Sequence, residues 1–176
     1  SFDLSHGSWG GIYALGTTAS AVVMVWAGGL TDNLRVRTLG PTVLLLLALA
    51  CLFMAFNPYA VLLPLVIFAL RLFGQGMTSH IAIVAMARWF SAARGRALSI
   101  SALGFSAGQA ILPIIFVLLL EHMGWRLLWV IAACIAILGI PLLKGLLRKE
   151  RTPQSMANEN PSFGMDGRYW KRFEAL

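Results

Sequence analysis

The stretch WGGIYALGTTASAVVMVWAGGLTDNLRVR, residues 9–37, decides the fold class of this 176-residue chain. It opens with 22 residues that carry no charge, Trp9 to Leu30, and closes on a polar loop that holds Asp32, Arg35 and Arg37. About 20 consecutive apolar residues are enough for an α-helix to cross the hydrocarbon core of a bilayer. The stretch therefore predicts a transmembrane helix that is followed by a charged loop at the membrane surface.

The same alternation of apolar run and charged loop repeats along the rest of the chain. The uncharged run over residues 38–70 is too long for one straight span, and Asn57-Pro58 divides it, because Asn caps helices and Pro suits their first turn. Pro64 is expected to kink the longer of the two resulting helices. These runs predict an all-α polytopic membrane bundle of five transmembrane helices, over residues 9–30, 41–56, 58–87, 97–120 and 127–143.

The composition excludes a water-soluble domain. Hydrophobic residues make up 59% of the chain and charged residues 12%, whereas soluble domains have about 45–50% and about 25%. The net charge of +7 would suggest a nucleic-acid partner in a soluble protein, but membrane proteins collect Lys and Arg in cytoplasmic loops, so no nucleic acid is expected. Cys51 and Cys134 lie inside apolar runs, and neither a disulfide framework, a metal site nor a cofactor is expected.

The basic residues predict the orientation of the bundle. Twelve of the 14 Lys and Arg follow the first, third and fifth spans, and these three segments therefore face the cytoplasm. Residue 1 is then outside and the polar segment 152–176 is cytoplasmic. A chain that starts outside without a signal peptide is expected to follow a preceding span, so a first helix is missing from this sequence. A bacterial inner membrane is the expected location.

The loop after the first span resembles the signature loop of the major facilitator superfamily, G-x-L-x-D-[RK]-x-G-[RK]-[RK]. Four of its positions match, and they are Gly28, Leu30, Asp32 and Arg37. Three depart from it: Asn33 and Val36 replace basic residues, and Arg35 replaces the usual glycine. In the family this loop joins the second and third of twelve spans.

Further stretches resemble the same family in the same order. Arg71–Gly76 is similar to a segment of its fourth span, Gly104–Pro113 to its Gly- and Pro-rich fifth span, and Gly124–Arg126 to the turn before its sixth. Arg88-Trp89-Phe90 is similar to monocarboxylate and oxalate/formate porters. The resemblance implies that residues 1–151 are part of the N-terminal transmembrane half, and that 152–176 begins the cytoplasmic loop between the halves. The first helix and the C-terminal half of the same protein are the implied partners.

The resemblance also implies a function. Members of the family carry small solutes by alternating access, which two six-helix halves perform around a site at the membrane midplane. The expected activity is secondary transport of a small solute, namely an organic anion such as a monocarboxylate, with proton coupling as the family's common mode. A non-transporting membrane receptor or assembly subunit is the alternative, because it would have the same spans and topology.

Three residues of the signature loop are the candidate gate. The resemblance implies that Asp32 lies at the N-terminus of a partner helix and locks one end of the pathway, with Arg37 in the same charge cluster. Gly28 has no side chain and allows a neighbouring helix to come close. The alternative is that Asp32 only ends a span in the headgroup zone.

Arg71 is the strongest candidate for the substrate pathway, because it is the one Lys or Arg within a predicted span. An arginine at a helix centre costs about 2.5–3.5 kcal/mol on insertion scales, which favours a water-lined cavity or a bound anion. Gln75 follows four residues later on the same helix face. Tyr13 and Thr17 form a polar stripe on the first span, and Gln109 lies on the fourth. The alternatives are a snorkelling Arg71 and simple hydrogen bonding between helices.

Two residues suggest chemistry of other kinds. His80 is the candidate for proton coupling, because histidine titrates near neutral pH, and the alternative is a hydrogen-bonded packing role. Gly104-Phe105-Ser106-Ala107-Gly108 fits the nucleophile motif G-x-S-x-G, and an intramembrane serine enzyme would use Ser106. That motif requires a strand-to-helix elbow, whereas this one lies in a predicted helix, so no enzyme is expected.

Overall fold

The computed structural model describes residues 5–90 and 94–147, with side chains at all of them except positions 6, 32 and 33. The proposed loop between halves, residues 152–176, lies outside this described part, as do residues 148–151 and residue 1. The described chain is all-helical, and its five long helices are each long and apolar enough to cross a membrane. They are α1 (His6–Ala27), α2 (Val36–Phe56), α3 (Ala60–Trp89), α4 (Arg94–His122) and α5 (Trp125–Leu146). The predicted fold class is confirmed.

The loop between α1 and α2 differs from its prediction at both ends. α1 ends at Ala27, three residues before the predicted Leu30, and the chain then turns at Gly28 and forms a short helical turn, Leu30–Asn33. α2 begins at Val36, five residues before the predicted start at Pro41, which is inside the helix. Proline is disfavoured there because it has no N–H to donate. The burial of Leu39 in the bundle core accompanies this early start.

α3 is not a uniform helix. It opens with a 3-10 turn at Ala60–Leu62, continues as an α-helix over Leu63–Ala69, widens into a π-helical segment at Leu70–Met77 and returns to α-helix at Thr78–Trp89. Pro64 lies in the first turn of the α-helical part, where its missing N–H has no intrahelical partner to lose. The pronounced irregularity of the helix therefore lies after Pro64, in the π segment that carries Arg71 and Gln75.

The core lies between α2, α3 and α5. The most extensive packing joins α2 to α5, where Ala48 and Cys51 are buried against Ala133. A second cluster joins α2 to α3, and a third joins the C-terminal end of α2 to the N-terminal end of α3, where Leu63 and Val66 are fully buried. α4 is peripheral within the described chain, since Ala97 is its one buried residue.

α1 reaches α3 through a glycine. A Cβ atom at Gly16 would lie 2.9 Å from the carbonyl oxygen of Pro64 and 2.9 Å from Cγ2 of Ile67. Such distances are well inside van der Waals contact, so only glycine lets the two helices approach this closely. This contact positions the polar face of α1 against the π segment of α3, which also packs on α1.

Candidate functional site

A cavity of about 510 Å³ lies where all five long helices meet. It is lined by Trp9 and Tyr13 of α1, Met54 of α2, Ile67, Leu70, Arg71, Gly74 and Gln75 of α3, Phe105 and Gln109 of α4, and Trp129 of α5. Four of the five predicted pathway residues, Tyr13, Arg71, Gln75 and Gln109, are therefore brought to one place. We call this space the central cavity.

The Arg71 side chain is held from two sides. Its guanidinium carbon lies 4.9 Å from the centroid of the Tyr13 ring, which is a cation–π contact between α3 and α1. Its Nη1 donates a hydrogen bond to Oε1 of Gln75, one turn further along α3. These two contacts hold the planar guanidinium at the cavity wall, and a guanidinium has N–H donors beyond the one that bonds to Gln75.

The wall of the central cavity has an uneven distribution of charge. Arg71 brings one positive charge, Gln75 and Gln109 bring neutral carboxamides, and no Asp or Glu lines the cavity within residues 5–90 and 94–147. The rest of the wall is mostly aromatic or aliphatic. An arginine in such a setting favours an anionic ligand, because a ligand anion is then its one charged partner in the cavity.

Thr17, the fifth predicted pathway residue, does not line the central cavity. Its hydroxyl oxygen Oγ1 is buried and has no hydrogen-bond partner among the described residues. Ser20 instead donates to the backbone carbonyl of Thr17, with an O···O distance of 2.8 Å. A buried hydroxyl without a partner is costly, so this position is one where a water or a movement of α1 would restore a hydrogen bond.

Thr78 stabilises the end of the π segment of α3 with two hydrogen bonds. The backbone N–H of Thr78 bonds to the carbonyl oxygen of Phe73, five residues earlier, and the Thr78 hydroxyl donates to the same oxygen over 2.6 Å. Segments of π-helix are rare and occur frequently at functional sites. Here the segment contains both Arg71 and Gln75, and sequence periodicity gave no sign of it.

His80 of α3 does not line the central cavity. Its Nε2 is 3.2 Å from Oγ1 of Thr31, in the loop after α1. The Thr31 hydroxyl donates its only proton to the carbonyl of Gly28, over 2.8 Å, so Nε2 of His80 is the donor in the contact with Thr31. Arg88 of α3 donates to the Thr31 carbonyl over 3.0 Å.

This network ties the signature-type loop to α3. Thr31 is 1% exposed and bonds to α3 twice, through His80 and Arg88. A Cβ atom at Gly28 would lie 3.2 Å from the Met24 carbonyl oxygen, which is a tight contact, and 3.7 Å from Nε2 of His80, which is ordinary van der Waals contact. Sequence reasoning missed Thr31, since a threonine in a polar loop carries no signal until its partner is known.

The other two gate candidates lie apart from this network. Asp32 belongs to the short helical turn, and the structure does not describe its side chain. Arg37 is exposed in the first turn of α2 and lines a separate cavity with Arg35 and Lys144. Of the three gate candidates, Gly28 is therefore the one that the structure brings to His80.

Two alternatives from the sequence concern chemistry. Ser106 lies in the middle of α4, in uninterrupted helix, and not in a strand-to-helix elbow. In the part of the chain that the structure describes, no group of three or more His, Cys, Asp or Glu residues is placed to hold a metal ion. The polar residues of the central cavity can bind and orient a ligand, and they contain no nucleophile with an adjacent base.

The order and lengths of the helices and the loop after α1 agree with one family. The sequence profile of the Major Facilitator Superfamily matches residues 1–173. The chain belongs to the Major Facilitator Superfamily. No curated protein and no solved structure matches the chain.

Membership in the Major Facilitator Superfamily gives this chain a class of activity. The family consists of secondary transporters and not of enzymes, so the resemblance on which the family prediction rested is confirmed and the serine-enzyme alternative is wrong. A solute substrate and a lipid bilayer follow as partners, and the protein is a multi-pass membrane protein. The match extends over the whole described bundle, including the central cavity.

Proposed function

We propose that this major-facilitator chain belongs to a secondary transporter of a small organic anion, such as a monocarboxylate. The observation that carries the proposal is the Arg71 guanidinium, which is fixed on the wall of the central cavity by Tyr13 and Gln75. No acidic side chain of the described residues shares that wall. A carboxylate matches the planar fork of arginine and can accept two parallel hydrogen bonds from it.

The size and lining of the central cavity support a small substrate. Its volume of about 510 Å³ is within the range of about 300–1,000 Å³ that is usual for small-molecule sites. Gln75 and Gln109 face the cavity from different helices, and their amides can bond to a second oxygen of the substrate. Trp9, Phe105 and Trp129 would contact the apolar part of the molecule.

Alternating access requires that one end of the pathway close while the other opens. We assign the closing contact at the Lys- and Arg-rich end to the loop after α1, in which Gly28, Asp32 and Arg37 are the gate residues. His80 is the proposed coupling residue, because its imidazole joins α3 to Thr31 in the loop after α1.

The direct test is uptake of radiolabelled lactate and oxalate by cells or proteoliposomes that carry the full-length protein. Arg71→Gln is expected to lower uptake about tenfold or more, because charged hydrogen bonds are worth about 1.5–3 kcal/mol. Arg126→Gln is the matched control: Arg126 has a similar contact with an aromatic ring, 5.2 Å from the centroid of Trp125, but lies outside the cavity. Normal uptake by the Arg71 variant at normal abundance would remove Arg71 from the substrate site, and no uptake of either acid by the natural protein would contradict the anion proposal.

A second measurement separates transport from the receptor alternative. Solute-dependent protection of the purified protein against heating reports binding alone. Protection by lactate or oxalate without any uptake would favour a non-transporting receptor.

His80→Gln tests proton coupling. Accumulation driven by a pH gradient is expected to fall in this variant, while exchange of internal for external solute continues. An unchanged pH-driven accumulation would remove His80 from the coupling step.

A further inference from the structure

A second cavity, of about 520 Å³, lies at the end of the bundle where α2 begins and α5 ends. Its lining contains Arg35 and Arg37 next to α2 and Lys144 in the last turn of α5, together with Thr38, Pro41 and Thr42. Lys144 is more than 100 residues from the two arginines in sequence, so the three positive charges converge only in the folded bundle. We call this cavity the basic pocket.

The electrostatics of the basic pocket favour an anion. Three cations line one space, and no acidic side chain among residues 5–90 and 94–147 that the structure describes lines it with them. α2 begins here, and its N-cap residue Arg35 makes no side-chain capping hydrogen bond. The first N–H groups of a helix have no intrahelical partners and carry the positive end of the helix dipole. A phosphate group is the anion that this combination of cations and N–H donors suits best.

An apolar stripe connects the basic pocket to the region that acyl chains occupy. Thr38 and Thr42 are followed on the same face of α2 by Leu45 and Leu49, at the spacing i, i+4, i+7 and i+11. Leu45 is 48% exposed and Leu49 is 53% exposed. These leucines offer a surface for hydrocarbon directly beside the charged groups.

The stripe faces away from the central cavity. Met54, which lines the central cavity, comes nine residues after Leu45 on α2. Nine residues at 3.6 residues per turn are two and a half turns, so the two side chains point to opposite sides of the helix. The central cavity and the leucine stripe therefore lie on opposite sides of α2.

We propose that the basic pocket binds the phosphate headgroup of an anionic phospholipid from the surrounding leaflet. The headgroup phosphate lies between Arg37, Lys144 and the start of α2, and the acyl chains lie along the leucine stripe. Basic pockets between transmembrane helices are known places for anionic lipid headgroups. Free phosphate shares the headgroup chemistry, but it would leave the adjoining apolar stripe without a role.

The test is lipid binding to the purified full-length protein in detergent, measured with phosphatidylglycerol and, separately, with phosphatidylcholine. Each cation near a membrane surface contributes about fivefold to the binding of an anionic lipid. Lys144→Gln is therefore expected to weaken phosphatidylglycerol binding about fivefold, and Lys144→Gln with Arg37→Gln about 25-fold. Binding of phosphatidylcholine is expected to stay unchanged. Lys144 is exposed, so the single variant is expected to fold and carries the test alone if the double variant does not.

Arg94→Gln with Arg96→Gln is the matched control. Both arginines are exposed in the first turn of α4 and lie outside the basic pocket, and the double change removes the same charge. Equal weakening by the control and the pocket variants would overturn the proposal in favour of diffuse surface attraction. Unchanged phosphatidylglycerol binding by the pocket variants would overturn it as well. Displacement of phosphatidylglycerol by equimolar inorganic phosphate would assign the pocket to a free anion and not to a lipid.

Discussion

Tyr13 supplies the surface on which the Arg71 guanidinium rests, 4.9 Å from the ring centroid. Such contacts are worth about 0.5–1 kcal/mol when exposed and about 2 kcal/mol when desolvated. Tyr13→Leu is therefore expected to lower the affinity for the transported anion about two- to thirtyfold, because the guanidinium loses one of its two supports. The measurement is the half-saturating concentration in the uptake assay.

Tyr13→Phe is the control for this prediction, because it keeps the ring and removes only the hydroxyl. It should bind the anion as the natural protein does if the ring face is the functional part. Equal losses in the phenylalanine and leucine variants would instead assign the effect to the hydroxyl and contradict the cation–π explanation.

Part of the candidate site was predictable from polar residues that interrupt an apolar helix. Tyr13, Arg71, Gln75 and Gln109 are such residues, and the structure brings them into one cavity, whereas Thr17 does not line it. The aromatic walls were not predictable, because an aromatic residue in an apolar run looks the same whether it faces lipid, core or cavity. His80 shows a different limit: its partner Thr31 is 49 residues away in sequence, and only the folded chain brings the two together.

The π segment of α3 is the element that presents Arg71 and Gln75 to the central cavity. Thr78 closes it with a side-chain hydrogen bond to the Phe73 carbonyl over 2.6 Å. Thr78→Val removes this bond, which is worth about 1 kcal/mol, so local opening is expected to become about fivefold more frequent. Hydrogen–deuterium exchange of the peptide that covers residues 70–78 measures this opening.

Ser99→Ala is the matched control for the π segment. Ser99 also donates its hydroxyl to a backbone carbonyl, that of Gly95 over 2.9 Å, but in regular α-helix and at an exposed position. Its removal should leave exchange at residues 70–78 unchanged. If the amides of residues 70–78 exchanged as fast in Thr78→Val as in the natural protein, the Thr78 hydrogen bond would not stabilise the π segment.

Gly16 is the point of closest approach between α1 and α3. Gly16→Ala would place a Cβ atom 2.9 Å from the Pro64 carbonyl oxygen, which is backbone and cannot rotate away. Overpacking of this kind costs about 1–3 kcal/mol, so the unfolding temperature of the purified protein is expected to fall. Gly11→Ala, on the same helix with nothing within 4 Å of the new atom, is the control and should not lower it. Equal melting of both variants would mean that the two helices separate easily at this point.

The number of helices was predictable from the sequence, and their ends were less so. Lipid requires about 20 apolar residues for each crossing, and the chain supplies five runs of this length, separated by charges or by Asn57-Pro58. The start of α2 was misplaced because Pro41 looks like a first-turn residue, whereas tertiary contacts extend the helix back to Val36. A helix end depends on what the last turns pack against, and that information is not local.

At the scale of the whole molecule, the bundle has one strongly basic end. Arg35, Arg37 and Lys144 meet at the basic pocket, and Arg88 reaches the loop after α1 at the same end. The positive-inside rule predicts that this end faces the cytoplasm. On that prediction the proposed gate, the His80 network and the proposed lipid pocket all lie on the cytoplasmic side, and the loop between α2 and α3 faces outward.

Single cysteines test this orientation directly. In full-length protein with Cys51→Ala and Cys134→Ala, Tyr59→Cys is expected to react with a membrane-impermeant maleimide on intact cells, because Tyr59 is 66% exposed in the loop before α3. Leu34→Cys, 47% exposed in the loop at the basic end, is expected to react only after permeabilisation. The two positions have similar exposure, so a difference in labelling reports on which side of the membrane each one lies. The reverse pattern would invert the bundle, and the assignment of gate and lipid pocket to the cytoplasmic leaflet would then be wrong.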